Sequence, residues 1–221
     1  IRNMRLQWFL DLGMQKKNIR TRDHKKEELS HYSQATTDLE YRYGLSSSSG
    51  GFSELEGIAN RGSFDLSQHE KASGETLKLE GIIPHVIESS LGLDRAAFAF
   101  LLDAYEEDDM GGESRVVLRL HPKLAPYKVA VFPLVANKEK LVSKAHAVYK
   151  QLQYKLQTTF DDIGNIGKRY RRQDEIGTPW CVTVDYQTLE DDTVTVRDRD
   201  TAKQVRKKVD ELAFYFADML G

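Results

Sequence analysis

The sequence predicts an α/β fold for its second half, and three observations carry that prediction. Residues 128–135 form a short, almost continuously apolar run, the pattern of a strand covered on both faces. Leu141, Val142, Ala145, Val148, Tyr149, Leu152 and Leu156 then recur at the spacing of one helical face. Strand-like runs return at 180–186 and 193–197. Such alternation of strand and helix indicates an α/β domain of roughly 100 residues.

The first 40 residues are polar and helix-rich in character, with Trp8, Phe9, Leu10 and Leu12 as their main apolar content. Residues 46–51, four serines and two glycines, read as a surface coil that buries nothing. A strand ending in Glu88 is followed by a helix over 93–105, with Leu93, Ala97, Phe98, Leu101, Leu102 and Tyr105 as its core face. Val116, Leu118 and Leu120 alternate as in a strand. Near His121 and Pro122 the chain divides, because Pro126 disfavours helix at the residue before it and extends the connector. Beyond the strand and helix already described comes a glycine-punctuated basic stretch over 163–177. A final helix presents Val205, Val209, Leu212, Ala213, Phe216 and Leu220 on one face, with Asp200 or Thr201 as its N-cap.

Composition excludes several classes of function. The 221 residues are 40% hydrophobic and 30% charged, a globular balance with no apolar run near the ~20 residues of a bilayer-spanning helix. The single cysteine, Cys181, rules out an internal disulfide framework and a multi-thiolate zinc site, and its use suits a reducing compartment. It lies within an apolar run and reads as an inert core residue. The six histidines show no metal-binding spacing. The chain opens on Ile1 rather than Met and has no signal peptide, so its start reads as cut. The net charge of −2 hides an asymmetry, with 17 Lys and Arg against 14 Asp and Glu after residue 121. A basic patch in the second half is therefore compatible with a mildly acidic protein.

Three constellations carry chemical interest. At the strand–helix corner, Glu88 leaves a strand while Arg95 enters the first turn of a helix, where unpaired N–H groups favour anions. The glutamate suits an ammonium group, and the arginine suits a phosphate or a purine face. An ordinary corner with Ser90 as cap and Arg95 paired to a nearby acid is the alternative. Glu54 and Glu56 stand two apart, which on a regular strand puts both carboxylates on one side, either in a cleft or simply in solvent. Lys168, Arg169, Arg171 and Arg172 surround Tyr170, a pattern suited to an RNA backbone and a stacked base, or to a solvated helix face balanced by Asp174 and Glu175. The glycines of this stretch match no nucleotide-binding fingerprint.

These same residues resemble glycyl-tRNA synthetases of the dimeric class II type. The run GNIGKRYRRQDEIGTPWCVTVDY, followed by TVTVRDRD, resembles the anticodon-binding domain of that family. ELEGIANR at 54–61, the stretch from Glu88 to Arg95, LAPYKVAVFPL at 124–134 and residues 20–40 are similar as well, so the resemblance covers nearly the whole chain. It implies α/β and α+β architecture: residues 1–121 as the latter part of a class II antiparallel-sheet catalytic domain, and residues 122–221 as an α/β anticodon-binding domain. The third class II motif falls on Gly92, Leu93, Asp94 and Arg95, with Arg95 on ATP. Glu54 and Leu55 line the ATP and adenylate site. Glu88, Ser89, Ser90, Leu91 and Gly92 form the glycine site, with Glu88 taking the ammonium group. Lys168, Arg169, Arg171 and Arg172 face the anticodon.

The implied substrates are glycine, ATP with Mg2+ and the tRNA for glycine; no zinc, no membrane partner and a cytoplasmic or organellar-matrix location are expected. Ser89 stands where the family has proline, and Tyr43, Gly44 and the serine–glycine run replace its proline-containing approach to ELEG. Nothing in the chain resembles the family's first two motifs, which build the dimer interface and supply an arginine on the α-phosphate. The family homodimer therefore does not carry over directly, and weak or no glycine activation by this chain alone is expected. The rival reading is a synthetase-derived binding module without chemistry, similar in kind to the accessory subunit of mitochondrial DNA polymerase.

Overall fold

A computed structural model describes residues 1–44, 50–110 and 112–221, which divide into two compact units at Asp103 and Ala104. The serines at 46–49 lie outside the described residues. The second unit takes in residues 104–121, which the sequence groups with the first half.

The first unit is an antiparallel meander. Strands β1 (Ile19–Asp23), β2 (Ala35–Arg42), β3 (Phe52–Gly62) and β4 (Val86–Leu91) pair in sequence order. Helix α1 (Arg2–Asp11) and helix α3 (Leu93–Ala104) cover one face, while α2 (Phe64–Ser73) joins β3 to β4. The core between helices and sheet holds Phe9, Leu39, Tyr41, Leu55, Ile58, Ala96 and Ala99. The buried Asp103 ties this face together, accepting from the backbone N–H of Gln15 at 2.7 Å, Asn18 at 2.6 Å and the Tyr41 hydroxyl at 3.2 Å. Burial, with this carboxylate alongside, pushes the Tyr41 hydroxyl pKa well up. Residues 19–42 thus hold two strands, where the sequence read as helix-rich.

Helix α3 turns a different face inward from the one its pattern suggests. Its buried residues are Ala96, Ala99, Asp103 and Ala104, whereas Leu93 is 82% exposed, and Phe98, Leu101 and Leu102 are also exposed. The segment is apolar nearly all round, so periodicity could not select a side; close approach to the sheet favours alanine.

The second unit opens with the hairpin β5 (Tyr105–Met110) and β6 (Glu113–Leu118). Its main sheet runs β8 (Thr158–Phe160), β7 (Val129–Pro133), β9 (Trp180–Val184), β10 (Thr193–Asp198), β11 (Gln204–Lys208) across its width. β7 lies parallel to both β8 and β9, and β10 and β11 add antiparallel strands. Helix α4 (Glu139–Gln153) and helix α7 (Leu212–Leu220) share one face, where Leu141, Val148 and Leu152 meet Val129, Val131, Val182, Leu212 and Phe216. Helix α5 (Ile166–Ile176) covers the other face over Ala130, Phe132 and Cys181. A single turn, α6 (Thr188–Asp191), precedes β10.

The expected last helix begins late. Residues 204–208 form β11, because Asp198 closes a tight turn by accepting from the N–H groups of Asp200 and Thr201 at 3.1 and 2.8 Å. Asp200 and Thr201 therefore shape a hairpin instead of capping a helix, and α7 starts at Leu212.

Candidate functional site

The helix-free face of the first sheet gathers the chemistry-bearing side chains. Across β1 and β2, Arg20 donates to Glu40 at 2.7 Å, and Arg22 and His24, the residue just after β1, meet Asp38 at 3.6 and 2.6 Å. The carboxylates of Asp38 and Glu40 are largely buried beneath these partners.

A β-bulge decides the roles of the paired glutamates. Glu54 is paired with Glu40, but Glu56 is paired with the preceding residue Leu39, so one extra residue is accommodated in β3. Adjacent residues of a strand point to opposite faces, and the glutamates follow their partners. Glu54 is exposed beside Gly57, where an added Cβ would lie 3.2 Å from its Oε1. Glu56 is fully buried on the helix side, accepting two bonds from Arg5 at 2.7 and 3.1 Å and one from the Ser89 hydroxyl at 2.5 Å. The expectation that both carboxylates share one side is corrected by this bulge. Leu55 is buried in the core rather than offered to solvent.

Strand β4 sorts its residues by the same rule. Glu88 lies opposite Ala59 and Ser90 opposite Gly57, both on the open face, while Ser89 turns to Glu56 behind the sheet. Leu91 is half-buried, and Gly92 offers its carbonyl to the N–H of Ala96 at the start of α3. Leu93 and Asp94 are exposed in that first turn. Arg95 donates to the Ser53 hydroxyl at 2.7 Å and lies over the Tyr43 ring at 5.3 Å, while the Tyr43 hydroxyl donates to its carbonyl oxygen. Arg95 is thus held at the start of β3, close in sequence to Glu54, with its side chain exposed.

Sequence reasoning missed Arg61. It donates to Glu88 at 2.6 Å and to both oxygens of Asp65 at 2.5 and 2.9 Å, with its guanidinium 4.1 Å from the Tyr32 ring. Its hydrogen bonds hold the Asp65 carboxyl below the usual carboxylate range. A cleft of about 340 Å3 opens beside it between His31, Tyr32, Gln34 and Phe64. The only advance signal was its place at the end of the ELEGIANR run. The open face therefore offers carboxylates and arginines in a fixed array, suited to a small zwitterion and a phosphate-bearing partner.

In the second unit the basic helix α5 turns part of its motif inward. Ile166, Arg169, Tyr170, Gln173 and Asp174 follow helical spacing and form the stripe against the sheet. Arg169 is only 1% exposed, and its guanidinium donates to the carbonyls of Pro133, Asp162 and Gly164 at 2.5, 2.9 and 2.6 Å. Tyr170 packs edge-on to Phe132 and shares a hydrogen bond of 2.6 Å with Thr183. These two residues are thus corrected from RNA-facing groups to internal ones: one face of a helix must meet the sheet, and this face happens to be polar. Arg172 is half-exposed and engages Asp161. Lys168 and Arg171 are exposed.

Behind α5 lies a buried ion network. Asp174 takes Arg197 and Arg115, and Arg115 also grips Asp108 through two bonds. Arg199 donates to the carbonyls of Leu120 and Gly177 and pairs with Asp200. Burial alone would raise the Asp200 carboxyl, but Arg199 and Arg119 outweigh it and hold the pKa low. Among the described residues, no three metal-ligating side chains come together, and no helix is long and apolar enough to cross a membrane.

Residues 128–219 match the family model described as "Anticodon binding domain". The chain is 50% identical over 221 residues to the glycine--tRNA ligase of Caldanaerobacter subterraneus subsp. tengcongensis, covering 97% of this chain and 46% of that protein. It is 51% identical over 228 residues to the enzyme so named in Thermobifida fusca, covering 98% and 49%, and 49% identical over 221 residues to that of Geobacillus kaustophilus, covering 97% and 46%. The chain therefore spans about half the length of the curated relatives it matches, and its similarity to them runs through both compact units.

Proposed function

We propose that this chain forms part of a glycine–tRNA ligase, in which glycine is activated by ATP and passed to the 3′ end of its tRNA. The observation that carries the reading is near-half identity to such ligases along 97% of the chain. The open sheet face of the first unit supports it. Glu88 is assigned the ammonium group of glycine, with Arg61 fixing one of its oxygens and leaving the other for the substrate. Ser90, on the same side of β4, lies beside it. Glycine is selected by charge and by lack of room, since nothing apolar is needed to recognise it.

Arg95 and exposed Glu54 are assigned to ATP, which arrives with Mg2+ as substrate; Leu55, Gly92, Leu93 and Asp94 shape the backbone around them. The glycine carboxylate attacks the α-phosphorus in line, pyrophosphate leaves, and the tRNA terminal hydroxyl then displaces AMP from the carbonyl carbon. Rate in such a site comes from positioning and electrostatic stabilisation, so no proton-transferring side chain is required. The second unit is assigned the anticodon loop, with Lys168 and Arg171 on the outer face of α5. A cytoplasmic or organellar-matrix location follows from this role.

Glycine-dependent ATP–pyrophosphate exchange tests the reading, with alanine and serine as controls. A full-length protein containing this sequence is expected to exchange with glycine alone, and this chain by itself weakly or not at all. A full-length protein that binds tRNA but never exchanges with glycine is instead the non-catalytic binding module.

A further inference from the structure

Strand β4 sends one side chain behind the sheet between the two that face its open side, and that side chain is firmly held. Ser89 stands between Glu88 and Ser90, so strand alternation turns it to the helix side. There its hydroxyl donates to Glu56 Oε1 at 2.5 Å, a short bond of the kind a hydroxyl makes to a carboxylate. Glu56 has little freedom of its own. It is fully buried, and Arg5 donates to its two oxygens at 2.7 and 3.1 Å while lying 4.6 Å from the Trp8 ring. A continuous tie thus runs from helix α1, through a buried anion on β3, to the middle of β4.

The backbone ladder alone holds this part of β4 loosely. Among the described residues β4 pairs with β3, and the register shifts between Asn60 and Gly62, within two residues of Glu88. Rotation of a strand about its own axis carries alternate side chains in opposite directions, so fixing Ser89 behind the sheet fixes Glu88 and Ser90 in front of it. Arg61 holds the head of Glu88 from the open side, and it too springs from β3. Glu88 is therefore restrained at both ends by groups rooted in one strand.

We propose that Ser89 is a positioning residue for glycine: locked by Glu56 and Arg5, it sets where the Glu88 carboxylate and the Ser90 hydroxyl stand for the ammonium group. This rests on the glycine–tRNA ligase reading above. Glycine has so few atoms that each contact is a large share of its binding, and a small displacement of one is felt at once.

The test uses a full-length protein containing this sequence, with glycine-dependent ATP–pyrophosphate exchange and the thermal unfolding midpoint measured on the same preparations. Ser89→Ala is expected to raise the KM for glycine about fivefold to tenfold, with kcat and the KM for ATP changed less than about twofold. Ser89→Thr keeps the hydroxyl and is expected to restore the KM for glycine to within about twofold of wild type. Arg5→Lys keeps the charge but loses the fork on Glu56, and is expected to raise the same KM about threefold. Added to Ser89→Ala, it is expected to change that KM by less than about twofold, because its path to the site is already cut. A lowered unfolding midpoint with an unchanged KM for glycine makes Ser89 purely structural and overturns the inference. A KM for ATP that rises as much as that for glycine also overturns it, and both results leave the ligase reading standing. A folded wild-type protein that never exchanges with glycine overturns the ligase reading, and the inference falls with it.

Discussion

Arg197 lays its guanidinium along Asp174 so that Nη1 and Nη2 stand 2.9 and 3.1 Å from opposite carboxylate oxygens, with Asp174 only 2% exposed. Arg115, from β6, reaches the same carboxylate at 2.8 Å. The one buried anion satisfies both cations, which are left facing each other once it is removed.

Asp174→Asn is therefore expected to destabilise the second unit by about 3–5 kcal/mol, the range for removing one partner of a buried pair. The urea midpoint should fall while the m-value stays constant. A loss under about 1 kcal/mol would mean that water reaches the network and replaces the missing charge.

His121 gives the stability a pH dependence of definite sign. Burial, with Lys123 and Lys128 nearby, lowers its pKa below the ordinary histidine value of about 6.5. Its Nδ1 also accepts from the backbone N–H of Lys123 at 3.2 Å, a bond only the neutral ring can accept. As pH falls through that ordinary value, the unfolded chain binds a proton that the folded chain does not. Stability from this group is thus full above about pH 6.5 and declines below it. His121→Gln should flatten the pH dependence of the unfolding midpoint between about 7 and 5; an unchanged profile would assign it to other groups.

Cys181 is 1% exposed, and burial pushes its thiol pKa far above its ordinary value. Alkylation of the native chain by iodoacetamide should be negligible over hours at neutral pH. It should accelerate in step with urea unfolding. Rapid modification of a chain with an intact near-ultraviolet spectrum would sink this expectation.

Gly177 sits at φ +83°, and an added Cβ would come within 3.0 Å of both the Leu118 carbonyl oxygen and Leu120 Cδ1. Gly177→Ala combines a left-handed backbone with a contact to main chain that cannot move cheaply. A loss of about 2 kcal/mol or more in unfolding free energy is expected, against about 1 kcal/mol for Gly74→Ala, where φ is +75° and nothing lies within 4 Å.

Much of the second unit was legible because its signals are local. Leu141, Ala145, Val148 and Leu152 are buried as their spacing predicts, and β7, β9 and β10 lie where the apolar runs do. Three features escaped for physical reasons. Helix α3 is apolar nearly all round, so its exposed leucines and buried alanines carried little contrast. The apolar spacing of Val205 and Val209 mimicked a helix, yet the Asp198 turn committed that segment to a strand. The inward stripe of α5 carries Arg169, Gln173 and Asp174, so its charge read as a surface signal. On the open face, Glu88 and Ser90 fell together by strand parity alone, but the Arg61 contact depends on a pairing 27 positions away.

The bulge at Leu55 makes the orientation of everything after it depend on the number of residues, not only on their kind. Inserting one residue into β2 between Leu39 and Glu40, opposite Leu55, would restore simple alternation and bring Glu54 and Glu56 onto one side. Arg5 would then lose its anchor beneath the helix, and the front of the sheet would gain a second acid where a small ligand needs room. Insertion at this point is thus a far harsher change than any substitution there, and a library that varies length as well as identity around 39–40 would expose it as a sharp gap among the tolerated sequences.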